Sequence, residues 1–319
     1  MTPARRGCLR LGTRGSALAL AQSRAVGGAL KQLLPWLELE EVIIRTRGDR
    51  ETGGPVAPLG GKGVFVRELE NALLAGEIDL AVHSLKDLPV DLPPGLEIAA
   101  VPERADPADA LISGPGSELD QLRAGARVAT GSPRRAVQLR LARPDLTCVP
   151  LRGNVDTRLR RLDEGAFDAL ILAVAGLVRL GRLDGRARRL DPERFVPAPG
   201  QGALALQART GSEAAALARR LSHGSSETQA RAEMALVRAL GGGCQLPLGA
   251  LGRCGEGRLT LTALLAHPDG DRWVRDREEG DVGEPEAVAQ RLAERLRKAG
   301  GEEILRALAA RGGAAAEAS

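Results

Sequence analysis

Aromatic residues are scarce in this chain: they make up 2% of its 319 residues, and tyrosine is absent. Proteins that bind single-stranded nucleic acid usually stack bases on exposed aromatic side chains along a basic groove. The scarcity argues against that class, and the net charge of +4 is modest for a chain of this length. Only arginine motifs favour a nucleic-acid-binding protein, and no recognition-helix signature accompanies them.

Long apolar segments and a cysteine scaffold are also missing. No segment reaches the roughly 18 uninterrupted apolar residues of a membrane-spanning helix, and residues 1–10 lack the apolar core of a signal peptide. The four cysteines (Cys8, Cys148, Cys244, Cys254) form no CxxC pair, and the three histidines are scattered. We therefore expect a cytoplasmic protein with free thiols and no metal site.

Length and hydrophobic patterning indicate several α/β layers. The chain exceeds the roughly 250 residues that one hydrophobic core usually supports. Short β-branched or Leu-rich runs alternate with amphipathic stretches through the first two thirds, which is typical of α/β architecture. The strands predicted there are 9–12, 42–45, 79–82, 127–130 and 169–173.

Proline-rich stretches near residues 102 and 200 mark predicted crossings between domains, so the middle segment is expected to be an insertion into the first domain. Beyond residue 222 the pattern predicts a helix at 227–240, a glycine-rich loop, a strand at 259–265 and one long helix from 284 to about 311. The expected domains are three: residues 1–102 with 203–220, residues 103–202, and residues 221–319.

Basic and hydroxyl side chains follow several predicted strands, where the next helix begins. Backbone N–H groups and the helix dipole attract anions at such positions, and ligands of open α/β sheets lie beyond the carboxyl ends of strands. Arginine binds carboxylates in a bidentate manner, and adjacent arginines need an anion or an acidic side chain to neutralise them. These candidates are Arg14, Ser16, Lys62, Lys86, Ser132, Arg134, Arg135, Arg152 and Arg158, with Phe65 and Asp87 from the same motifs as Lys62 and Lys86.

Cys244 follows three glycines and precedes Pro247 by three residues. The glycines make a loop that can project the thiol into a cleft, and the proline fixes the direction in which the chain leaves. The other three cysteines are expected to be buried and structural. The sequence therefore singles out Cys244 as the reactive thiol.

These motifs, in this order, resemble porphobilinogen deaminase over nearly the whole chain. The resemblance rests on the segments 12–19, 46–49, 61–70, 83–89, 132–135, 151–158, 173–177 and 199–203, together with the Cys244 loop. It implies an α/β fold of two domains like those of type II periplasmic binding proteins, plus a small C-terminal α+β domain that carries the cofactor cysteine.

The resemblance also implies the activity. Four porphobilinogen units are condensed, with release of ammonia, onto a dipyrromethane cofactor held by a thioether on Cys244, and hydrolysis then releases hydroxymethylbilane for tetrapyrrole biosynthesis. Porphobilinogen and the growing oligopyrrole are the implied ligands of a monomeric transferase. No nucleic-acid or membrane partner is implied.

By the same resemblance Asp87 is the catalytic aspartate, which stabilises the cation left when porphobilinogen loses ammonia; electrostatic stabilisation is weighted above acid catalysis. The implied cofactor-binding residues are Cys244, Lys86, Asp87, Ser132, Arg134, Arg135 and Arg158. The implied substrate-binding residues are Arg14, Ser16, Lys62, Phe65, Arg152, Arg158, Arg179 and Gln201. Each substrate brings an acetate and a propionate, so the arginines match a growing negative charge.

The alternative from another class is a non-catalytic protein that binds an organic anion, because the first two expected domains resemble solute-binding folds. That alternative lacks an export signal and gives no reason for a cysteine on a glycine loop. Some positions depart from the pattern of the family. Gly131 and Pro133 stand where Ser and Leu are common, Gln207-Ala208 replaces Glu-Cys, and Val178 replaces Lys, which leaves the finer cofactor contacts open.

Overall fold

The computed structural model describes residues 8–44, 66–114, 116–242 and 246–317. The predicted site residues Lys62, Phe65 and Cys244 lie outside the described residues, so their roles stay predictions. The chain forms two units, one of Met1–Ala105 with Gly202–Glu227 and the other of Asp106–Gln201 with Thr228–Ser319. The finer division into three domains stays a prediction.

The first unit contains a five-stranded sheet in the order β2-β1-β3-β10-β4. Strands β2, β1 and β3 are parallel, whereas β10 is antiparallel to both of its neighbours. The strands are β1 (Cys8–Arg14), β2 (Glu38–Ile44), β3 (Leu80–Ser84), β4 (Leu96–Ala100) and β10 (Leu204–Arg209). The helices are α1 (Ala17–Leu33), α2 (Arg67–Leu74) and α6 (Glu213–Arg219).

Both faces of this sheet are apolar and covered by helices. Leu80 and Val82 of β3 face a buried cluster that includes Leu30 of α1, and Ala81 faces the opposite cluster with Leu69 and Leu73 of α2. Each fully buried leucine contributes about 1.5–3 kcal/mol to folding. This packing fixes the strands, and with them the polar loops at their ends.

The second unit contains a sheet of the same pattern, in the order β7-β6-β8-β5-β9. Strand β6 is parallel to β7 and β8, and β5 is antiparallel to β8 and β9. The strands are β5 (Asp109–Ser113), β6 (Arg127–Thr130), β7 (Thr147–Pro150), β8 (Ala169–Ala173) and β9 (Ala187–Arg189). The helices are α3 (Pro133–Ala142), α4 (Val155–Asp163) and α5 (Val174–Arg179).

A three-stranded antiparallel sheet, β11-β12-β13, forms the C-terminal part of the second unit. Val137 of α3 packs with Leu251 and Leu264 of this sheet. Leu139 of the same helix packs with the five-stranded sheet of the second unit, so α3 is held between the two sheets. The strands are β11 (Leu248–Gly255), β12 (Arg258–Ala266) and β13 (Trp273–Asp281). The helices are α7 (Gly224–Ala239), α8 (Pro285–Leu296) and α9 (Glu302–Glu317).

The expected fold class is confirmed: the chain has two five-stranded α/β sheets of like strand pattern and a small C-terminal α+β part. The prediction of one long helix from residue 284 is wrong. Gly300 adopts φ 109°, outside helical geometry, and separates α8 from α9. None of the helices in the described ranges is long and apolar enough to cross a membrane.

Candidate functional site

In the first unit, two of the predicted site motifs share one edge of the sheet. Arg14 is the last residue of β1, and β3 ends at Ser84, directly before a 3₁₀ turn, Leu85–Asp87. Because β1 and β3 are parallel neighbours, Arg14 and this turn lie at the same edge. The side chain of Lys86 is half-buried and that of Asp87 is exposed, so the carboxylate is open to a ligand.

The turn that carries Asp87 is held by two further contacts. The buried amide of Gln22 in α1 donates from Nε2 to Ser84 Oγ at 2.9 Å. The Leu85 N–H donates to the carbonyl oxygen of Ala203 at 3.0 Å, beside β10. Sequence reasoning missed Gln22 and Ser84. The available signal was a glutamine directly after an apolar helical run, Ala17–Ala21.

Ser16 caps α1, as the sequence predicted for this helix start. Its Oγ accepts a hydrogen bond from Ala19 N at 3.3 Å. Such a cap contributes about 1 kcal/mol to helix stability. The hydroxyl keeps its own hydrogen to donate, so capping and the predicted ligand role of Ser16 are compatible.

In the second unit, the predicted residues follow the carboxyl ends of three parallel strands, β6, β7 and β8. Ser132 caps α3 after β6, Arg152 lies exposed between β7 and α4, and Arg179 ends α5 after β8. Arg158 of α4 donates from Nε to the Gly153 carbonyl at 2.8 Å. The edge is therefore lined with guanidinium groups from successive loops and helices.

Arg134 and Arg135 are buried, and both contact one carboxylate, that of Asp109. Arg134 Nη1 lies 2.8 Å from Asp109 Oδ2, while Arg135 Nε and Nη2 donate to Asp109 Oδ1 at 2.9 and 2.7 Å. Asp109 is the first residue of β5, opposite Ala173 at the end of β8, which brings it to this edge. Sequence reasoning did not identify Asp109.

Gln201 belongs to the same buried cluster. Its Nε2 donates to the Pro107 carbonyl at 2.7 Å and to Asp109 Oδ1 at 2.9 Å, and its Oε1 accepts from Arg135 Nη2 at 3.3 Å. The adjacent Gly200 N–H donates to the buried carboxylate of Glu233 in α7 at 2.6 Å. Gln201 was predicted as a substrate ligand, and the structure places it 1% exposed among protein partners.

The cluster carries more positive than negative charge. The two guanidiniums hold the pKa of the Asp109 carboxyl well below its usual range despite its burial. Burial lowers the pKa of Arg134, with Asp109 opposing the shift and Arg135 reinforcing it. Burial, followed by the charge of Arg135, also lowers the pKa of Arg158. One carboxylate thus pairs with two arginines, and the charge of Arg135 also acts on Arg158, so an anion bound there would restore the balance.

Two departures from the family pattern have a structural explanation. A Cβ on Gly131 would lie 2.3 Å from the Leu151 carbonyl oxygen, so this backbone accepts only glycine without a shift. Pro133 occupies the first turn of α3, where a backbone N–H has no hydrogen-bond partner within the helix, so proline loses no helical hydrogen bond there. Val178 is exposed next to Arg179, and nothing in the structure explains its replacement of a lysine.

A buried histidine in the first unit gives a pH prediction. Burial lowers the pKa of His83 to about 4, with Gln207 opposing the shift and Arg14 adding to it. Between pH 6.5, the ordinary pKa of histidine, and about pH 4, His83 is protonated in the unfolded chain but neutral in the folded one. The contribution of His83 to stability is therefore fully present above pH 6.5 and is lost as the pH falls toward 4. We expect a loss of about 2 kcal/mol between pH 7 and pH 5 from this group alone.

The measurement is urea unfolding of the wild type and of His83→Gln at both pH values. The carboxylates titrate alike in the two proteins, so the difference between them isolates the histidine. We expect the stability of His83→Gln to fall about 2 kcal/mol less than that of the wild type over this range. Equal losses would show that His83 does not titrate as its burial implies.

The comparisons with known proteins cover most of the chain. The family model described as "Porphobilinogen deaminase, dipyromethane cofactor binding domain" matches residues 9–216, and the model described as "Porphobilinogen deaminase, C-terminal domain" matches residues 228–298. A relative from Thiobacillus denitrificans, named porphobilinogen deaminase, is 48% identical over 304 residues, covering 95% of this chain and 99% of its own. A relative of the same name from Desulforudis audaxviator is 49% identical over 296 residues, or 92% and 96% of the two chains.

Among solved structures, the VFT2 domain of Bordetella pertussis BvgS is similar over 67% of this chain and 86% of that domain, at 17% identity and a TM-score of 0.39. This likeness is too distant to support any argument about function. The fold assignment rests on the strand order of the two α/β sheets, and the family assignment rests on the matching models and the relatives.

Proposed function

This chain belongs to the porphobilinogen deaminase family, and from that premise we propose that Asp87, Cys244 and the arginines described above perform the reaction of the family. It is a transferase, hydroxymethylbilane synthase, of porphyrin and heme biosynthesis, and its cofactor is dipyrromethane. It condenses four porphobilinogen molecules, releasing ammonia, and hydrolysis yields hydroxymethylbilane. The alternative of a non-catalytic anion-binding protein has no support from these relatives.

The residues of the second unit fit the cofactor. Each pyrrole ring carries an acetate and a propionate, so a dipyrromethane brings four carboxylates. The matching observation is the excess of guanidinium charge around Asp109, together with Arg134 Nε, which is buried and has no hydrogen-bond partner within the described ranges. A carboxylate is the acceptor that such an edge of a guanidinium binds best. This observation carries the assignment.

We assign the cofactor to a covalent bond with Cys244 and to contacts with Lys86, Asp87, Ser132, Arg134, Arg135 and Arg158. We assign the incoming substrate and the growing oligopyrrole to Arg14, Ser16, Lys62, Phe65, Arg152, Arg158, Arg179 and Gln201. Buried cations suit a permanently bound group, whereas exposed cations such as Arg152 suit a substrate that enters and moves on.

Asp87 stabilises the charge that develops in the reaction. The C–N bond of the porphobilinogen aminomethyl group breaks, ammonia leaves, and a cation remains on the pyrrole. A cofactor bound at Cys244 would supply the pyrrole α-carbon as the nucleophile for the new C–C bond. The exposed Asp87 carboxylate accepts a hydrogen bond from pyrrole N–H groups and favours the cation. It also assists removal of the proton that the attacked carbon loses.

The remaining assignments concern organisation and surroundings. We propose a monomeric, cytoplasmic enzyme whose partners are porphobilinogen and the oligopyrrole, with no nucleic-acid or membrane partner and no metal. We also propose three domains, residues 1–102 with 203–220, residues 103–202 and residues 221–319. The separate three-stranded C-terminal sheet supports the third of these.

Intact-protein mass spectrometry tests the covalent assignment. We expect the wild type to carry the added mass of a dipyrromethane and Cys244→Ser to lack both that mass and activity. Cys254→Ser is the matched control, because Cys254 is half-buried in β11 and burial raises the pKa of its thiol, which disfavours the reactive thiolate. An active wild type without added mass, or an active Cys244→Ser protein, would refute the proposal.

A further inference from the structure

The buried carboxylate of Asp109 has no assigned role in the reaction, yet it contacts three of the residues assigned above. Its side chain is fully buried, so it contacts neither solvent nor a ligand that binds from solvent. Arg134, Arg135 and Gln201 all donate to it or pair with it at 2.7–2.9 Å. Any effect of Asp109 on the reaction must therefore pass through these three side chains.

The two arginines use their hydrogen-bond donors differently. Arg135 donates from Nε and Nη2 to Asp109, from Nη2 also to Gln201, and from Nη1 to the Ile171 carbonyl at 3.0 Å. Each nitrogen of Arg135 is thus engaged by the protein. Arg134 donates from Nη1 to the Val196 carbonyl at 2.7 Å and forms an ion pair through the same nitrogen with Asp109 Oδ2 at 2.8 Å, while its Nε has no hydrogen-bond partner in the described part of the chain.

A guanidinium group that is held only at Nη1 can rotate about that contact, unless the groups that hold Nη1 also fix the orientation of the guanidinium plane. Asp109 and the Val196 carbonyl hold the same nitrogen from two directions, which leaves the Nε edge of Arg134 in one orientation. Val196 is itself fixed, because the Gln138 side chain accepts from its N–H at 2.6 Å and donates to its carbonyl at 2.9 Å. The geometry leaves the Nε–H of Arg134 as a donor that no described protein atom uses.

We infer that Asp109 is a positioning residue for anion binding: it holds Arg134, with Arg135 and Gln201 as its other partners, so that the Nε edge of Arg134 meets a carboxylate of the bound pyrroles. The inference rests on the function proposed above. It gives the adjacent arginines different parts around Asp109: Arg134 presents its Nε–H to the ligand, and Arg135, besides its assigned contact with the cofactor, holds Asp109 in place.

Charge and geometry predict opposite effects when Asp109 is neutralised. Asp109→Asn removes a negative charge from a site that binds anions, so Coulomb attraction alone would tighten binding and lower KM for porphobilinogen. Loss of positioning would misplace the bound cofactor, beside which porphobilinogen binds, and would raise KM in spite of the added positive charge. We expect KM for porphobilinogen to rise at least tenfold and the fraction of protein carrying the dipyrromethane mass to fall. A residue that served folding alone would leave KM of the folded, loaded fraction unchanged.

Asp106→Asn is the matched control. Asp106 lies three residues earlier, carries the same charge and pairs with Arg189 at 2.5 Å, and the described contacts do not connect it to Arg134 or Arg135. It makes the same charge change in the same segment, so it should leave KM and loading at wild-type values. An equal rise of KM in both variants would show a general charge effect and would overturn the inference.

A second pair of variants answers the risk that two buried arginines without a carboxylate do not fold. In an Arg135→Gln background one buried arginine faces Asp109, and adding Asp109→Asn leaves a single buried cation. The double variant should have a KM at least fivefold above that of Arg135→Gln. An unchanged or lower KM would refute positioning by Asp109. A wild type that is inactive or unloaded would refute the proposed function instead, so the two failures are distinguishable.

Discussion

Asp87→Asn leaves a folded protein whose turnover falls by about 10²–10³, the loss seen when one preorganised electrostatic group is removed from an active site. The substitution keeps the size of the side chain and removes its negative charge. Without that charge, the pyrrole cation formed on loss of ammonia has no anionic partner. We expect kcat to fall and KM for porphobilinogen to change little, because the carboxylates of the substrate bind to other residues.

The structure indicates that this loss will not come from unfolding. Asp87 is exposed on a 3₁₀ turn that is held through Ser84 and Leu85, and the substitution touches neither contact. Asp120→Asn is the matched control, since Asp120 is also exposed on a 3₁₀ turn, Leu119–Gln121. Steady-state kinetics and thermal unfolding of both variants decide the question. Normal turnover of Asp87→Asn, or an equal loss in Asp120→Asn, would contradict the role assigned to Asp87.

Half of the strands in the two α/β sheets, and the starts of α1 and α3, were predictable because their signals are local. The strands predicted at 127–130 and 169–173 have the observed bounds of β6 and β8. Apolar runs and a capping serine such as Ser132 act within a few residues, so sequence alone reveals them. The same holds for the loops that come after these strands, which is why the basic residues could be placed at a sheet edge.

The C-terminal sheet was only partly predictable. Strand β12 is apolar and was predicted, but β11 contains three glycines and β13 contains five consecutive charged residues, 275–279, so neither has the composition of a typical strand. Pairing with β12 makes them strands. The secondary structure of such segments is determined by contacts between residues distant in sequence, and these contacts cannot be read from the local sequence pattern.

The same limit explains why Asp109 and Gln22 were missed. Asp109 lies in an apolar run and contacts Arg134 and Arg135 only because β5 pairs with β8. The sequence indicated that the adjacent arginines need an anion or an acidic side chain as partner, and a bound ligand was the partner expected. The protein supplies one carboxylate itself, and the remaining excess of positive charge is what points to a ligand.

The second large effect is expected when the buried Arg134 is replaced by leucine, and the same change at the exposed Arg152 should have a different result. Arg134→Leu removes a cation that is 4% exposed and whose Nε edge has no protein partner in the described residues. We expect the fraction of protein that carries the dipyrromethane mass to fall below about one tenth, with activity falling at least as much, because a buried carboxylate of the cofactor would lose its charged partner at a cost of about 2–5 kcal/mol. Intact-protein mass spectrometry and activity on the same sample measure both.

Arg152→Leu should behave differently, because Arg152 is exposed and solvent screens its charge. We expect full loading and a KM for porphobilinogen about tenfold higher, equivalent to about 1.4 kcal/mol of binding energy. Arg161→Leu, a change at an exposed arginine of α4, is the control and should alter neither quantity. Because Arg134 is buried, we assign it to the permanently bound cofactor. Because Arg152 is exposed, we assign it to the incoming substrate. Loss of loading in Arg152→Leu, or full loading in Arg134→Leu, would reverse that assignment.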